Sequence, residues 1–217
     1  MDCSKRAYDY LKNAILQNEI EEGTPIREVE IAEKLQISRT PIREALRQLE
    51  IEGIVVNYRA RGCFVTTISP YDVEEIYELR ILFELYALEK AFPRITDEDL
   101  DRLESSFLIL LTEAFDWDKY HAADRDFHQL FFDKCGNRRA VTFMMMLNTQ
   151  IERIRNCSDK YQARSAEERI REHLHIIKCI RDRDLEASQK SLKIHLRKVS
   201  NSAIETCRLM STNQRES

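Results

Sequence analysis

After Pro70, this chain of 217 residues contains one more proline, Pro93, and one more glycine, Gly136. The two residue types that most readily interrupt regular structure are almost missing from the whole C-terminal part. Such a stretch lacks the turn residues that a many-stranded sheet requires. Its apolar residues recur at helical rather than alternating spacing, which predicts helices at about 71–92, 97–115, 118–134, 138–157, 165–182 and 185–210. Thr96 ahead of a run of acidic residues reads as an N-cap, and Gly136-Asn137 as a helix stop. Six antiparallel helices of this length suit a bundle with a pocket between facing helices. Fully β and α/β folds are disfavoured, because alternating apolar and polar segments are absent after residue 67.

Ahead of Pro70 the punctuation is dense and the pattern changes. Tyr8, Leu11, Ala14, Ile15 and Ile20 mark an amphipathic helix, stopped by the Glu-Glu-Gly-Thr-Pro run at 21–25. Val29, Ile31, Ala32 and Leu35 mark a shorter helix over roughly 28–35, followed by a tight connection through Gln36 and Ile37. Over 38–55, Ile42, Ala45, Leu46 and Leu49 form an apolar stripe, while Arg39, Arg43 and Arg47 share the opposite, charged face. Ser38 stands at the N-cap, and Pro41 falls in the first turn, where its missing N–H does no harm. Gly53 breaks this helix; Ile54–Val56 and Cys63–Thr66 read as two strands joined by Arg59-Ala60-Arg61-Gly62. Three helices and a small hairpin make a winged helix-turn-helix, with Arg61 and Gly62 near the wing tip. The expected organisation is therefore mainly α: a DNA-binding domain at 1–68, a linker near 67–70, and a helical domain at 69–217.

Composition limits what these parts can do. The net charge is −4 and the pI about 5.8, so the chain is no general polyanion binder. Nucleic-acid affinity has to come from the local arginines between 39 and 61. No apolar run approaches the roughly 20 residues needed to span a bilayer, and the N-terminus has no signal-peptide pattern, so a cytoplasmic location is expected. Cys3, Cys63, Cys135, Cys157, Cys179 and Cys207 show no Cys-x-x-Cys pairing and read as reduced thiols.

In the helical part, Asp124 and His128 stand four apart on one helix, so carboxylate and imidazole leave the same face. His173 and His195 fall on the next-to-last and last helices. A helical histidine is more often a hydrogen-bonded structural residue than a ligand. Spacing alone leaves both readings open, because it does not show that three helices converge.

The Ser-Arg-Thr-Pro-Ile-Arg-Glu-Ala-Leu run at 38–46, with Arg-Gly-Cys-Phe-Val at 61–65, resembles the DNA-binding domain of the GntR superfamily of bacterial transcription regulators. One departure is Gln36, at a turn position often occupied by glycine in that family; a left-handed backbone there costs a non-glycine residue roughly 1 kcal/mol. Residues 71–210 resemble the effector-binding FCD domain of the FadR subfamily, through Asp124-Arg-Asp-Phe-His128, Glu172-His173 and His195-Leu196. The count of six helices resembles the smaller VanR-like branch. The resemblance implies that Asp124, His128, His173 and His195 hold one divalent cation per chain, while His121 and His175 fall outside the pattern. One oxygen and three nitrogen donors suit Zn²⁺ first, with Ni²⁺, Mn²⁺ or Fe²⁺ as alternatives. Arg80 matches an arginine common in the domain and could meet an effector carboxylate or a neighbouring acid.

The function implied is a ligand-responsive regulator, a repressor in the first reading, acting as a homodimer on palindromic double-stranded operator DNA. Arg39 and Arg43 are expected at base edges, Ser38, Thr40 and Arg47 at phosphates, and Arg61 with Gly62 at the minor groove or backbone. The effector is expected to be a small carboxylate-bearing acid. Three alternatives stand beside this: a repressor that senses the cation alone, a purely structural cation, and a metal-dependent enzyme. The last lacks any separate base or nucleophile motif beside the ligands.

Overall fold

The computed structural model describes residues 2–159 and 165–213, without side chains at 157–159 and 210–213, so the expected Cys157 thiol lies outside the described residues. The other five cysteines are free thiols, with Cys3 exposed and the rest buried. Two separate hydrophobic cores organise the chain, one drawn from residues 7–65 and the other from residues 73–207.

The N-terminal core is enclosed by α1 (Cys3–Leu16), α2 (Glu28–Leu35), α3 (Arg39–Ile51) and an antiparallel hairpin of β1 (Val55–Tyr58) and β2 (Gly62–Val65). Leu11, Ile42, Leu49 and Ile54 are fully enclosed there. The first helix is shorter than its apolar pattern predicts. It ends at Leu16, Asn18 turns left-handed at φ 59°, and Ile20 reaches the core from the loop instead of the helix. The segment read only as a helix stop also has a second use. Gly23 and Ile26 donate backbone N–H bonds to Val65 and Cys63 of β2 (3.0 and 2.8 Å), so this stretch lies along the wing. Gln36 does adopt the left-handed conformation, at φ 52°, and closes α2 before the turn into α3.

The C-terminal core lies within α4 (Pro70–Ala91), a short 3₁₀ turn (Phe92–Arg94), α5 (Asp97–Thr112), α6 (Trp117–Cys135), α7 (Arg138–Asp159), α8 (Ala166–Arg181) and α9 (Leu185–Asn213). Local chemistry sets the boundaries. Ser69 with Asp72 and Thr96 with Asp99 form reciprocal capping boxes, and Gly136 ends α6 in a left-handed turn. Helix α5 stops at Thr112, three residues before its expected end at 115. Helix α4 packs against α6, α7 and α9, while α8 lies against α5 and α9. Tyr77, Phe107, Phe127 and Phe131 are wholly buried, and each such side chain contributes about 1.5–3 kcal/mol by leaving water.

The middle of helix α4 inverts the usual pattern. Arg80 and Glu84 face inward, 6% and 0% exposed, while Leu79, Leu82 and Tyr86 face outward. Buried charge is costly unless paired, so the inward pair marks where the bundle departs from a plain hydrophobic core.

Candidate metal centre and nucleic-acid face

On the N-terminal domain, the arginine face of α3 is open. Ser38, Arg39, Thr40, Arg43 and Arg47 are all exposed. Ser38 has the extended backbone of an N-cap (ψ 167°), but its side chain makes no capping bond. The N-terminal backbone donors of α3 and its positive dipole end therefore lack a side-chain cap and suit an anion. Arg43 donates from Nε to Glu28 Oε2 at 2.8 Å, an exposed pair that water and salt weaken. At the wing tip the Arg61 guanidinium lies 5.7 Å from the rings of both Tyr58 and Phe64, beside Gly62 at φ 93°.

In the bundle, the four sequence candidates meet. Asp124 and His128 on α6, His173 on α8 and His195 on α9 are all buried, with one donor atom from each lying within 4.8 Å of the others. Asp124 Oδ1 lies 3.2 Å from His173 Nε2 and 3.7 Å from His128 Nε2. Three imidazoles are oriented from behind. The Nδ1 of His128 meets Glu84 Oε2 at 2.5 Å, that of His173 meets the Arg169 carbonyl at 2.8 Å, and that of His195 meets Glu172 Oε2 at 2.8 Å. Carbonyl and carboxylate oxygens only accept, so each Nδ1 carries the hydrogen and each Nε2 keeps its lone pair. The Nε2 atoms of His128 and His173 are buried and make no hydrogen bond among the described residues. Buried polar atoms are rarely left so. Outer acceptors that orient an imidazole this way are the usual companions of a metal ligand.

Two family models match the chain: the FCD domain over residues 75–198, and the bacterial regulatory proteins of the gntR family over residues 3–65. The chain belongs to the GntR family, with an FCD domain. It is 28% identical over 193 residues to the HTH-type regulator YdhC of Bacillus subtilis, covering 87% of this chain and 85% of that protein. With the HTH-type transcriptional repressor RspR of Escherichia coli it shares 27% identity over 201 residues, 92% of this chain and 88% of the other. The crystal structure of a GntR regulator from Rhodococcus sp. RHA1 superposes with a TM-score of 0.76 at 20% identity, covering 93% and 97% of the two chains, which shows the shared fold. The protein is a DNA-binding transcription regulator and not an enzyme.

Within the FCD domain, charge is arranged around the four converging residues. Burial alone would raise the Asp124 carboxyl, but the close imidazoles of His173 and His128 and the Arg155 guanidinium hold it well below the usual range. Burial likewise opposes ionisation of Glu84, yet His128 and Arg80 bring it down to about 2. Burial lowers His128, and burial beside the His173 ring brings His195 down to about 3, so both rings are neutral near pH 7. Neutral imidazoles and an ionised carboxylate are the protonation states a cation requires.

Arg80 donates from Nε to Glu84 Oε1 at 2.7 Å and lies 3.4 Å from the Tyr77 hydroxyl. It also lines a cavity of about 370 Å³ that reaches Asp124, His128 and Arg155. Phe132, Met144 and Ile151 give this cavity apolar wall, and Asn148 adds a polar one. His121 stacks on Trp117 at 5.6 Å and His175 lies 3.8 Å from Cys179, so neither joins the cluster.

Sequence reading missed Glu84 and Arg155. Glu84 stands four residues after Arg80 and is completely buried between it and His128. Arg155 donates from Nη1 to Asp124 Oδ2 at 2.8 Å across the α6–α7 groove. The spacing of Arg80 and Glu84 was a usable signal for the first. Nothing in the sequence pairs residues 124 and 155.

Proposed function

We propose that the FCD domain binds one divalent cation through Asp124, His128, His173 and His195, and that a small organic acid in the adjoining cavity modulates operator affinity. The observation that carries this reading is the convergence of one carboxylate and three imidazoles, each imidazole held from behind at Nδ1 by an acceptor. Such a donor set fits Zn²⁺ first, and Ni²⁺, Mn²⁺ or Fe²⁺ next. The bound cation would supply positive charge and coordination positions for an anion. The chain's own residues do the rest: Asp124 and the three imidazoles hold it, Glu84 and Glu172 orient rings, and the cavity admits the acid. Arg80 is assigned a minor part, because Glu84 already neutralises it.

Residues 1–68 are assigned to operator binding and 69–217 to sensing and dimerisation. Arg39 and Arg43 would reach base edges, Ser38, Thr40 and Arg47 phosphates, and Arg61 with Gly62 the backbone or minor groove. The exposed apolar side chains Leu79, Leu82 and Tyr86 of α4, with Phe143 and Met146 of α7, support a homodimer face. Two heads so joined would read a palindrome, as a repressor in the cytoplasm. The cavity that reaches Asp124 and His128 favours an organic effector over cation sensing alone.

The test is elemental analysis and operator binding on protein purified without chelator. One bound cation per chain, lost in His173→Ala and in His195→Ala, is expected. Full occupancy in both variants would sink the site. Loss of melting temperature on chelation, with operator affinity and acid response unchanged, would point to a structural cation instead.

A further inference from the structure

Arg155 shows a feature that the cation site does not use. Its Nη1 holds Asp124, but its Nε is buried and makes no hydrogen bond among the described residues. The guanidinium lines the same cavity as Asp124 and His128. A guanidinium offers Nε–H and one Nη2–H side by side, and this edge matches the two oxygens of a carboxylate. Arg80 is the poorer candidate, because its Nε is already given to Glu84.

The helix that carries Arg155 has a second set of contacts on another face. Asn148, Ile151, Glu152 and Arg155 line the cavity. Thr149, Gln150, Arg153 and Asn156 bond the DNA-binding domain. Thr149 Oγ1 donates to Glu52 Oε2 at 2.9 Å, and Gln150 Nε2 to the Glu52 carbonyl at 3.0 Å. Glu52 is the C-cap of α3, the helix with the arginine face. Arg153 donates to the Thr66 hydroxyl, the Thr66 carbonyl and Glu22 at 2.8, 2.7 and 3.1 Å, and Asn156 donates to the Leu16 carbonyl at 3.1 Å. Both sets repeat at helical spacing, so one rigid element forms a cavity wall and also grips the DNA-binding head.

From this geometry we infer that Arg155 is the carboxylate-recognising residue of the cavity, and that α7 carries its state to the end of α3. This rests on the cation-plus-acid reading above and names the residue through which that site is read. The ligand class is a small carboxylic acid with an apolar body. Its carboxylate meets the Nε–Nη2 edge of Arg155, and its body lies on Phe132, Met144 and Ile151. Arg155 is then shared between Asp124 and the ligand, which shifts α7 relative to α6 and with it the four residues that bond the head.

The full chain loaded with Co²⁺ provides the test, because the visible spectrum of the ion reports its surroundings separately from DNA binding. Acetate, lactate and benzoate serve as probes. In the wild type at least one should change the spectrum in a saturable way. Arg155→Lys, which keeps a positive charge beside Asp124, should still bind Co²⁺ while weakening that probe roughly tenfold or more, since a lysine lacks the paired donors. Hydrogen exchange should also change on probe binding in residues 16–22, 48–53 and 66. Gln150→Ala combined with Asn156→Ala should suppress that change while leaving the spectral titration intact. A normal Co²⁺ spectrum with no response to any probe overturns the carboxylate dock and leaves the cation site standing. Equal probe affinity in Arg155→Lys overturns the role of Arg155. Failure to bind Co²⁺ at all is a failure of the underlying site and removes the inference with it. Unchanged exchange in the head of the wild type, with the probe bound, overturns the α7 route alone.

Discussion

Glu84→Gln offers a severe test of how the cation site is built. Glu84 is 0% exposed, and its two oxygens accept from Arg80 Nε at 2.7 Å and His128 Nδ1 at 2.5 Å. A glutamine of the same shape has one acceptor oxygen and one NH₂ group, yet both partners are donors. If the amide oxygen stays with Arg80, the NH₂ faces His128, which relieves the clash by accepting at Nδ1 and moving its hydrogen to Nε2. The lone pair that would bind the cation is then gone. The cost to the apo protein follows from losing one charge-assisted bond, about 1.5–3 kcal/mol, and from leaving Arg80 uncompensated. Breaking a buried pair outright costs about 3–5 kcal/mol, so roughly 3 kcal/mol is expected with one bond retained. That is survivable against a total stability of about 5–15 kcal/mol. Cation affinity should fall about 10–100-fold, the usual effect of removing a group that orients a ligand. Urea melts of the apo protein give the first quantity, and competition with a chromophoric chelator gives the second. Nitrogen NMR of the histidines reads the tautomer directly. Adding Arg80→Met frees the amide oxygen for His128 and should restore most of the cation affinity. Affinity within about twofold of wild type in Glu84→Gln, with the apo protein destabilised as expected, would show that Glu84 only neutralises Arg80.

Three further outcomes are expected. Arg43→Ala should lose about 1–3 kcal/mol of discrimination between operator and altered sites, read by titration at fixed salt; unchanged discrimination would remove Arg43 from the base edge. Gly53→Ala puts a Cβ 2.7 Å from Gln150 Nε2 at a φ of +73°, so it should cost about 1 kcal/mol for the backbone plus the Gln150–Glu52 bond. The second part should disappear in a Gln150→Ala background, and equal losses in both backgrounds would deny that contact any weight. Burial opposes ionisation of Asp99, but Lys134 and the Thr96 cap outweigh it and bring the carboxyl from 3.8 down to about 2. A depressed folded-state value adds stability above pH 4 that is lost as pH falls through the folded value. Relative to Asp99→Asn, the wild type should therefore gain roughly 1–2 kcal/mol between about pH 2 and 4 and hold that gain above it. A flat difference across that range would refute the assignment.

Much of the fold could be read before any coordinates, because it depends on neighbours in sequence. Thr96 and Gly136 act within one helical turn of themselves, and the cap and the stop both sit where local chemistry places them. The misreadings came where a distant partner overrode local pattern. Ile20 fits the period of α1, yet the chain turns left-handed at Asn18 and delivers that side chain to the core from a loop. Gly23–Ile26 looks like punctuation until β2 arrives to pair with it. On α4, Arg80 and Glu84 face inward among apolar neighbours because each meets its counter-charge inside the bundle.

What the sequence alone determined is the list of parts: a winged helix-turn-helix with an exposed arginine face, a helical bundle without internal breaks, and the residue types of the four-residue cluster. Helical period, capping and punctuation act over three or four residues, so they are written locally. Tertiary structure alone decided that α6, α8 and α9 bring Asp124, His128, His173 and His195 within 4.8 Å. It also decided which nitrogen of each ring is left free, through Glu84, the Arg169 carbonyl and Glu172. The same holds for the seam that ties α7 to the head, where Arg153 and Glu22 are 131 positions apart. Separations of that size are closed only by tertiary structure, here through polar contacts between α7 and the head, and no periodicity in the chain records them.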